Sequence, residues 1–132
     1  MKYLLDTSTV SDFVKGQPRV LTRVKVTAPS LIAVSALTRM EVAYGLAINV
    51  QRAAKLAPLM QAFFSAIATL PFDEPDALAA AAIRAALKSR GRPIGAYDVL
   101  IAGTALARGL TVVTSNVREF GRIGGLLVED WR

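Results

Sequence analysis

Histidine and cysteine are both absent from the 132 residues of this chain. Without them there is no Ser-His-Asp triad, no imidazole base, no thiolate nucleophile, no disulfide and no thiolate zinc site. The GxxxxGK[ST] phosphate loop and the GxGxxG dinucleotide fingerprint are missing too. No apolar run approaches the ~18 residues that span a bilayer. The opening Met1-Lys2-Tyr3-Leu4-Leu5-Asp6 meets an acid too soon for a signal-peptide core. A cysteine-free chain of this kind fits the cytoplasm. No repeat, linker or low-complexity tail interrupts it, and its length suits one domain over residues 1–132.

Apolar residues make up 53% of the chain, above the usual ~45–50%. That excess implies apolar surface for a second copy or a permanent partner. The formal net charge is +6 and the sequence pI about 10.2, which favours a polyanion such as nucleic acid. No long basic run localises the patch.

Three acids stand at turning points of the pattern. Asp6 ends the apolar run Tyr3-Leu4-Leu5, Glu41 lies two turns into a helix, and Asp98 sits at the head of an apolar helix. Carboxylates without imidazole or thiolate suit a hard, oxygen-bound cation, Mg²⁺ or Mn²⁺. Each has a plain alternative. Asp6 is also a good N-cap. Glu41 is also a surface acid beside Arg39, bordering a stripe of Leu37, Met40, Ala43 and Tyr44 that reads as the core face. Asp98 also suits the positive end of a helix dipole.

The coarse pattern alternates short strands with helices. Residues 2–5, 31–34 and 110–114 read as strands, Leu70-Pro71-Phe72 as a weak one, and Leu126-Leu127-Val128 as an edge. Helices are expected over 8–15, 18–26, from the cap Ser35 to Ala47, from the cap Asn49 to about Ala68, from Asp73 to Gly91, and from Asp98 to Gly109. Pro58 should kink or split its helix. The alternation predicts an α/β fold with a mainly parallel central sheet and helices on both faces, with ligands at the carboxyl ends of the strands. Asp6 and Ser115-Asn116 fall at those ends.

Asn116 offers a neutral oxygen ligand, with Glu119 a turn later; the same pair also fits a capping box. Arg84, Lys88, Arg90 and Arg92 lie just upstream of Asp98, placed to hold phosphates or to complement a helix C-terminus. Between Val50 and Leu70 the residues Leu56, Leu59, Met60, Phe63, Phe64 and Ile67 exceed one stripe. One face should meet the core and another, with Phe63, a second chain, unless Pro58 divides the segment.

Four blocks in order carry a family resemblance: Leu4-Leu5-Asp6-Thr7, Met40-Glu41-Val42-Ala43-Tyr44-Gly45, the run from Gly91 to Ala102, and Thr114-Ser115-Asn116-Val117-Arg118-Glu119-Phe120. With the ending Gly124 to Trp131, they resemble the PIN-domain family, in particular VapC-type ribonuclease toxins of bacterial toxin–antitoxin pairs. The resemblance implies a PIN-like three-layer α/β/α fold and a metal-dependent endoribonuclease. It implies Mg²⁺ or Mn²⁺ at Asp6, Glu41 and Asp98, with Asn116 or Glu119 as the fourth catalytic position. It also implies a structured RNA substrate (tRNA anticodon loops, initiator tRNA in the subgroup whose blocks these resemble), a homodimer and a small cognate antitoxin. The family often carries Asn where this chain has Ser8, and paired Asn where it has Ser115-Asn116. Ser8 therefore keeps open a second expectation, a weakly catalytic or non-catalytic module that acts with its antitoxin as a nucleic-acid-binding or operator-regulating complex.

Overall fold

The computed structural model describes residues 1–132. Five short strands are β1 (Tyr3–Leu5), β2 (Ile32–Ser35), β3 (Ala68–Leu70), β4 (Thr111–Val113) and β5 (Val128–Glu129). All pair in parallel, in the order β3-β2-β1-β4-β5. The three central strands have both faces covered, so they read as unbroken apolar runs. Alternation along them divides the core into two layers. Leu4, Ala33 and Val112 point to one face, where they meet Ile83, Leu87, Ile101 and Phe120. Tyr3, Leu5, Ile32, Val34 and Val113 point to the other, against Val10, Phe13, Val20, Met60 and Phe63.

Seven α-helices complete the three layers: α1 (Thr7–Val14), α2 (Pro18–Val26), α3 (Ala36–Ala47), α4 (Val50–Ala66), α5 (Glu74–Ser89), α6 (Ala96–Arg108) and α7 (Val117–Phe120). Helices α5, α6 and α7 cover the first face, and α1, α2 and α4 the second. Several ends are set locally. The side chains of Ser35 and Asn49 accept from Leu37 N and Arg52 N. Asp73 and Asp76 form a capping box at α5, and Gly109 closes α6 at φ +67°. No helix is long and apolar enough to cross a membrane.

Four expectations change. Pro58 does not split α4, which runs unbroken from Val50 to Ala66. Pro58 and Ala54 are both exposed, so solvent can take the place of the N–H that the proline lacks. The weak strand lies two residues earlier than expected, because Pro71 has no N–H for the ladder and β3 ends at Leu70. The last strand is Val128–Glu129 rather than 126–128. Most consequentially, the α3 stripe is not the core face: Met40 is 42% and Tyr44 63% exposed. Helix α3 instead turns Thr38 inward, with Glu41, Val42 and Leu46 half-buried.

Candidate active site

The loops leaving β1 and β4 lie side by side because those strands pair in register, Leu5 opposite Val113. Asp6 follows β1 directly and is 3% exposed. The N-cap reading of Asp6 holds. Its Oδ1 caps α1 by accepting from Thr9 N at 2.9 Å. The same oxygen accepts from Ser8 Oγ at 2.8 Å, and Oδ2 accepts from Thr114 Oγ1 at 2.5 Å. A buried carboxylate is tolerated because its lone pairs are met in this way.

Glu41 reaches the same edge from α3. Its Oε1 accepts from Thr7 Oγ1 at 2.7 Å, and the Thr38 hydroxyl stands 3.2 Å from that of Thr7. The inward turn of α3 therefore puts Glu41 beside the loop that carries Asp6, not beside Arg39 in solvent. Arg39 lies instead over the Phe64 ring, 4.2 Å from its centroid.

Asp98 is the third residue of α6, which begins at Ala96 rather than at Asp98 itself. Its carboxyl is pushed up from 3.8 to about 6, first by burial and then by the charges of Asp6, Glu119 and Glu41. That Coulombic coupling gathers four acids, from α1's cap, α3, α6 and α7, at one end of the sheet. Gly95 keeps the space open, since a Cβ there would stand 3.3 Å from Asp98 Oδ2.

Asn116 precedes α7, but its side chain caps no backbone N–H. The amide Nδ2 donates to Glu119 Oε2 at 2.5 Å instead, so the expected capping box does not form. A charged acceptor is the stronger partner for the amide N–H. Asn116 and Glu119 are thus joined side chain to side chain.

The basic residues divide. Arg84 and Lys88 line a groove of about 740 Å³ together with Phe72, Leu87, Ala96 and Leu100, beside the first turn of α6. Arg90 turns back on its own helix, its Nε donating to Ala86 O at 3.3 Å, which is the helix-end role. Arg92 is exposed in the turn that leads to α6. Phe63, expected to meet a second chain, is 7% exposed and packs against Phe13 at 4.7 Å between ring centroids. Apolar exposure falls instead on Met40, Tyr44, Ile48, Val50 and Leu59.

Sequence alone assigns the hydroxyl partners Thr7, Thr38 and Thr114 no role of their own, and marks Ser115 only at a strand end and as a departure from paired Asn. Their signal was the hydroxyl-rich runs Thr7-Ser8-Thr9 and Thr114-Ser115 straight after two strands, which read equally well as turn chemistry.

The acids do not close into a metal cage: no three stand at ligating separations from one another. Asp6, Glu41 and Glu119 are each tied to a separate hydrogen-bond donor. The donor set still fits a hard dication. It is all oxygen, it is anionic, and the mutual repulsion that raises Asp98 is what a positive charge relieves.

The PIN domain profile matches residues 3–126. The chain is 38% identical over 131 residues to the tRNA(fMet)-specific endonuclease VapC of Salmonella typhimurium, covering 99% of this chain and 98% of that one. Its structure is similar to the DNA-bound VapBC of Salmonella typhimurium, with a TM-score of 0.90 at 38% identity over 100% of this chain and 99% of that chain. It is also similar to VapBC2 of Rickettsia felis bound to a promoter DNA fragment, with a TM-score of 0.90 at 27% identity over the full length of both chains. A match along nearly the whole length, in sequence and in fold, makes this chain a member of the PIN-domain family, in its VapC branch.

Proposed function

We propose that this protein is a metal-dependent endoribonuclease toxin that hydrolyses phosphodiester bonds in structured RNA and is neutralised by a small cognate antitoxin. The observation that carries the reading is the raised Asp98, whose carboxyl feels Asp6, Glu41 and Glu119 together at one sheet edge. The 38% identity to an endonuclease named for initiator tRNA supports tRNA as the substrate class. The neighbours solved as VapBC complexes support the antitoxin. A homodimer working in the cytoplasm completes the reading.

In this reading Asp6, Asp98 and Glu41 hold Mg²⁺ or Mn²⁺. When bound, the cation supplies an acidified water and neutralises charge at the scissile phosphate. The chain's own groups do the rest. Thr114 and Ser8 fix the Asp6 carboxylate, and Thr7 fixes Glu41. Asn116 holds Glu119, so the fourth acid faces the site without wandering. Arg84 and Lys88, on the groove beside α6, meet phosphates of the bound RNA, and Arg92 extends that track. Arg90 belongs to it only if its helix-end bond breaks.

The test is cleavage of total RNA and of single-stranded DNA by the purified protein with Mn²⁺. Asp6→Asn, Glu41→Gln and Asp98→Asn should each remove most RNA cleavage while leaving the fold intact, and EDTA should do so reversibly. RNA cleavage that persists in full in EDTA, or in Asp98→Asn, overturns the metal reading. Cleavage of DNA in preference to RNA overturns the substrate class.

A further inference from the structure

Asp6 is held by donors whose direction the hydrogen-bond count forces. A serine or threonine hydroxyl has one proton and two acceptor pairs. Ser8 Oγ stands 2.8 Å from Asp6 Oδ1, which as a carboxylate oxygen only accepts. Ser115 Oγ lies 3.1 Å from Ser8 Oγ, and Ser115 N lies 3.4 Å from it. With both donors of Ser115 directed at it, the Ser8 oxygen has its acceptor pairs filled, and its proton is left for Asp6. The other arm is similar: Asn116 N donates to Thr114 Oγ1 at 2.9 Å, and Thr114 passes its own proton to Asp6 Oδ2. Two donor chains therefore run from the loop after β4 and end on one buried carboxylate.

A carboxylate offers about four lone-pair sites. On Oδ1, Ser8 Oγ and Thr9 N occupy two; on Oδ2, Thr114 occupies one. The open site is on Oδ2. We propose that Ser8 and Ser115, 107 positions apart in the chain, act as one positioning unit that closes Oδ1 and leaves Asp6 a single directed lone pair, so that Asp6 binds the cation through one oxygen. The proposal rests on the metal-dependent reading above. It assigns Ser8 a role: the position where this chain departs from the family's usual Asn is matched across the sheet by a second serine that completes its hydrogen bonding.

The test is Mn²⁺ titration by calorimetry, with thermal melts in EDTA to report folding. Ser8→Ala and Ser115→Ala should each weaken Mn²⁺ binding by about 10- to 100-fold, as loss of an orienting partner does. Because the two act as one unit, Ser8→Ala/Ser115→Ala should bind Mn²⁺ no more weakly than the worse single variant. Ser8→Thr keeps the hydroxyl and should restore affinity to within about threefold of wild type. RNA cleavage by the alanine variants should recover at saturating Mn²⁺, with KM for RNA unchanged. Unchanged Mn²⁺ affinity in Ser115→Ala, or losses that multiply in the double variant, overturns the unit. Ser115→Ala decides the matter even if Ser8→Ala fails to fold, because it frees an acceptor pair on Ser8 Oγ and so no longer forces the Ser8 proton onto Asp6 Oδ1, while Thr9 N and Thr114 still hold Asp6. A wild type that binds no Mn²⁺ defeats the metal reading itself, whereas a wild type that binds Mn²⁺ equally with Ser115→Ala defeats only this proposal.

Discussion

Asp98 couples the site to stability. Its carboxyl titrates at about 6 in the folded chain against 3.8 in the open. The folded state thus holds the proton more tightly, and the contribution is fully present below about pH 4 and lost as pH climbs through about 6. Taken whole, the shift corresponds to ~3 kcal/mol at neutral pH. Water reaches half of this group and screens it, so ~1 kcal/mol is the figure to expect. In EDTA, Asp98→Asn should therefore melt above wild type at pH 7.5, with the gap closing by pH 4. Mn²⁺ should raise the wild-type melt more than the mutant's by mass action. An Asp98→Asn protein that melts lower than wild type at pH 7.5 in EDTA, with equal Mn²⁺ shifts in both, would mean that these acids share no site.

Among the elements, the contact of α5 with α6 decides where Asp98 stands. At Gly103 a Cβ would lie 2.7 Å from Ala80 Cβ and 2.8 Å from Asp76 O. Backbone on the facing helix cannot step aside as a flexible side chain does. Gly103→Ala should therefore cost about 1–3 kcal/mol, as overpacking does, and lower RNA cleavage by moving α6. Gly45 in α3 is the contrasting position, with nothing within 4 Å of an added Cβ. Gly45→Ala should leave the melt unchanged or raise stability by up to ~1 kcal/mol through helix propensity. Parallel denaturant titrations of the two variants check this, and equal midpoints would remove the close approach as the reason for Gly103.

Across the whole molecule, exposed apolar residues include a group at the α3–α4 turn. Tyr44 is 63%, Ile48 69% and Val50 76% exposed, all around the α3–α4 turn. In the toxin reading the antitoxin is expected to cover this face. Tyr44→Glu should leave the melt of the isolated chain within about 0.5 kcal/mol, as exposed substitutions do. It should also weaken capture of the co-expressed antitoxin at least tenfold. Phe63→Glu is the control: its ring is packed inside against Phe13, so it should unfold the chain rather than spare it. Undiminished antitoxin capture by folded Tyr44→Glu would place the antitoxin on another face.

Sequence by itself determined the parts whose causes are local. The parallel α/β pattern follows from short apolar strands alternating with helices, and each strand was legible to within about two residues. Ser35, Asn49, Asp73 and Gly109 set helix ends through bonds or dihedrals that span only a few residues. The acids Asp6, Glu41 and Asp98 were visible because a charge inside an apolar pattern costs free energy and stands out. Tertiary structure alone decided the rest. Periodicity identified a stripe on α3 but not which side of the helix meets the sheet, and the packed side carries Thr38. The Asn116 amide could accept from a backbone N–H as a cap or donate to Glu119, and only the folded geometry selected Glu119. The raised Asp98 and the Ser8–Ser115 bond depend on groups from distant segments meeting in space. Coulomb energy and hydrogen bonding act over ångströms rather than residues, so these features form only when the sheet sets the β1 and β4 loops side by side.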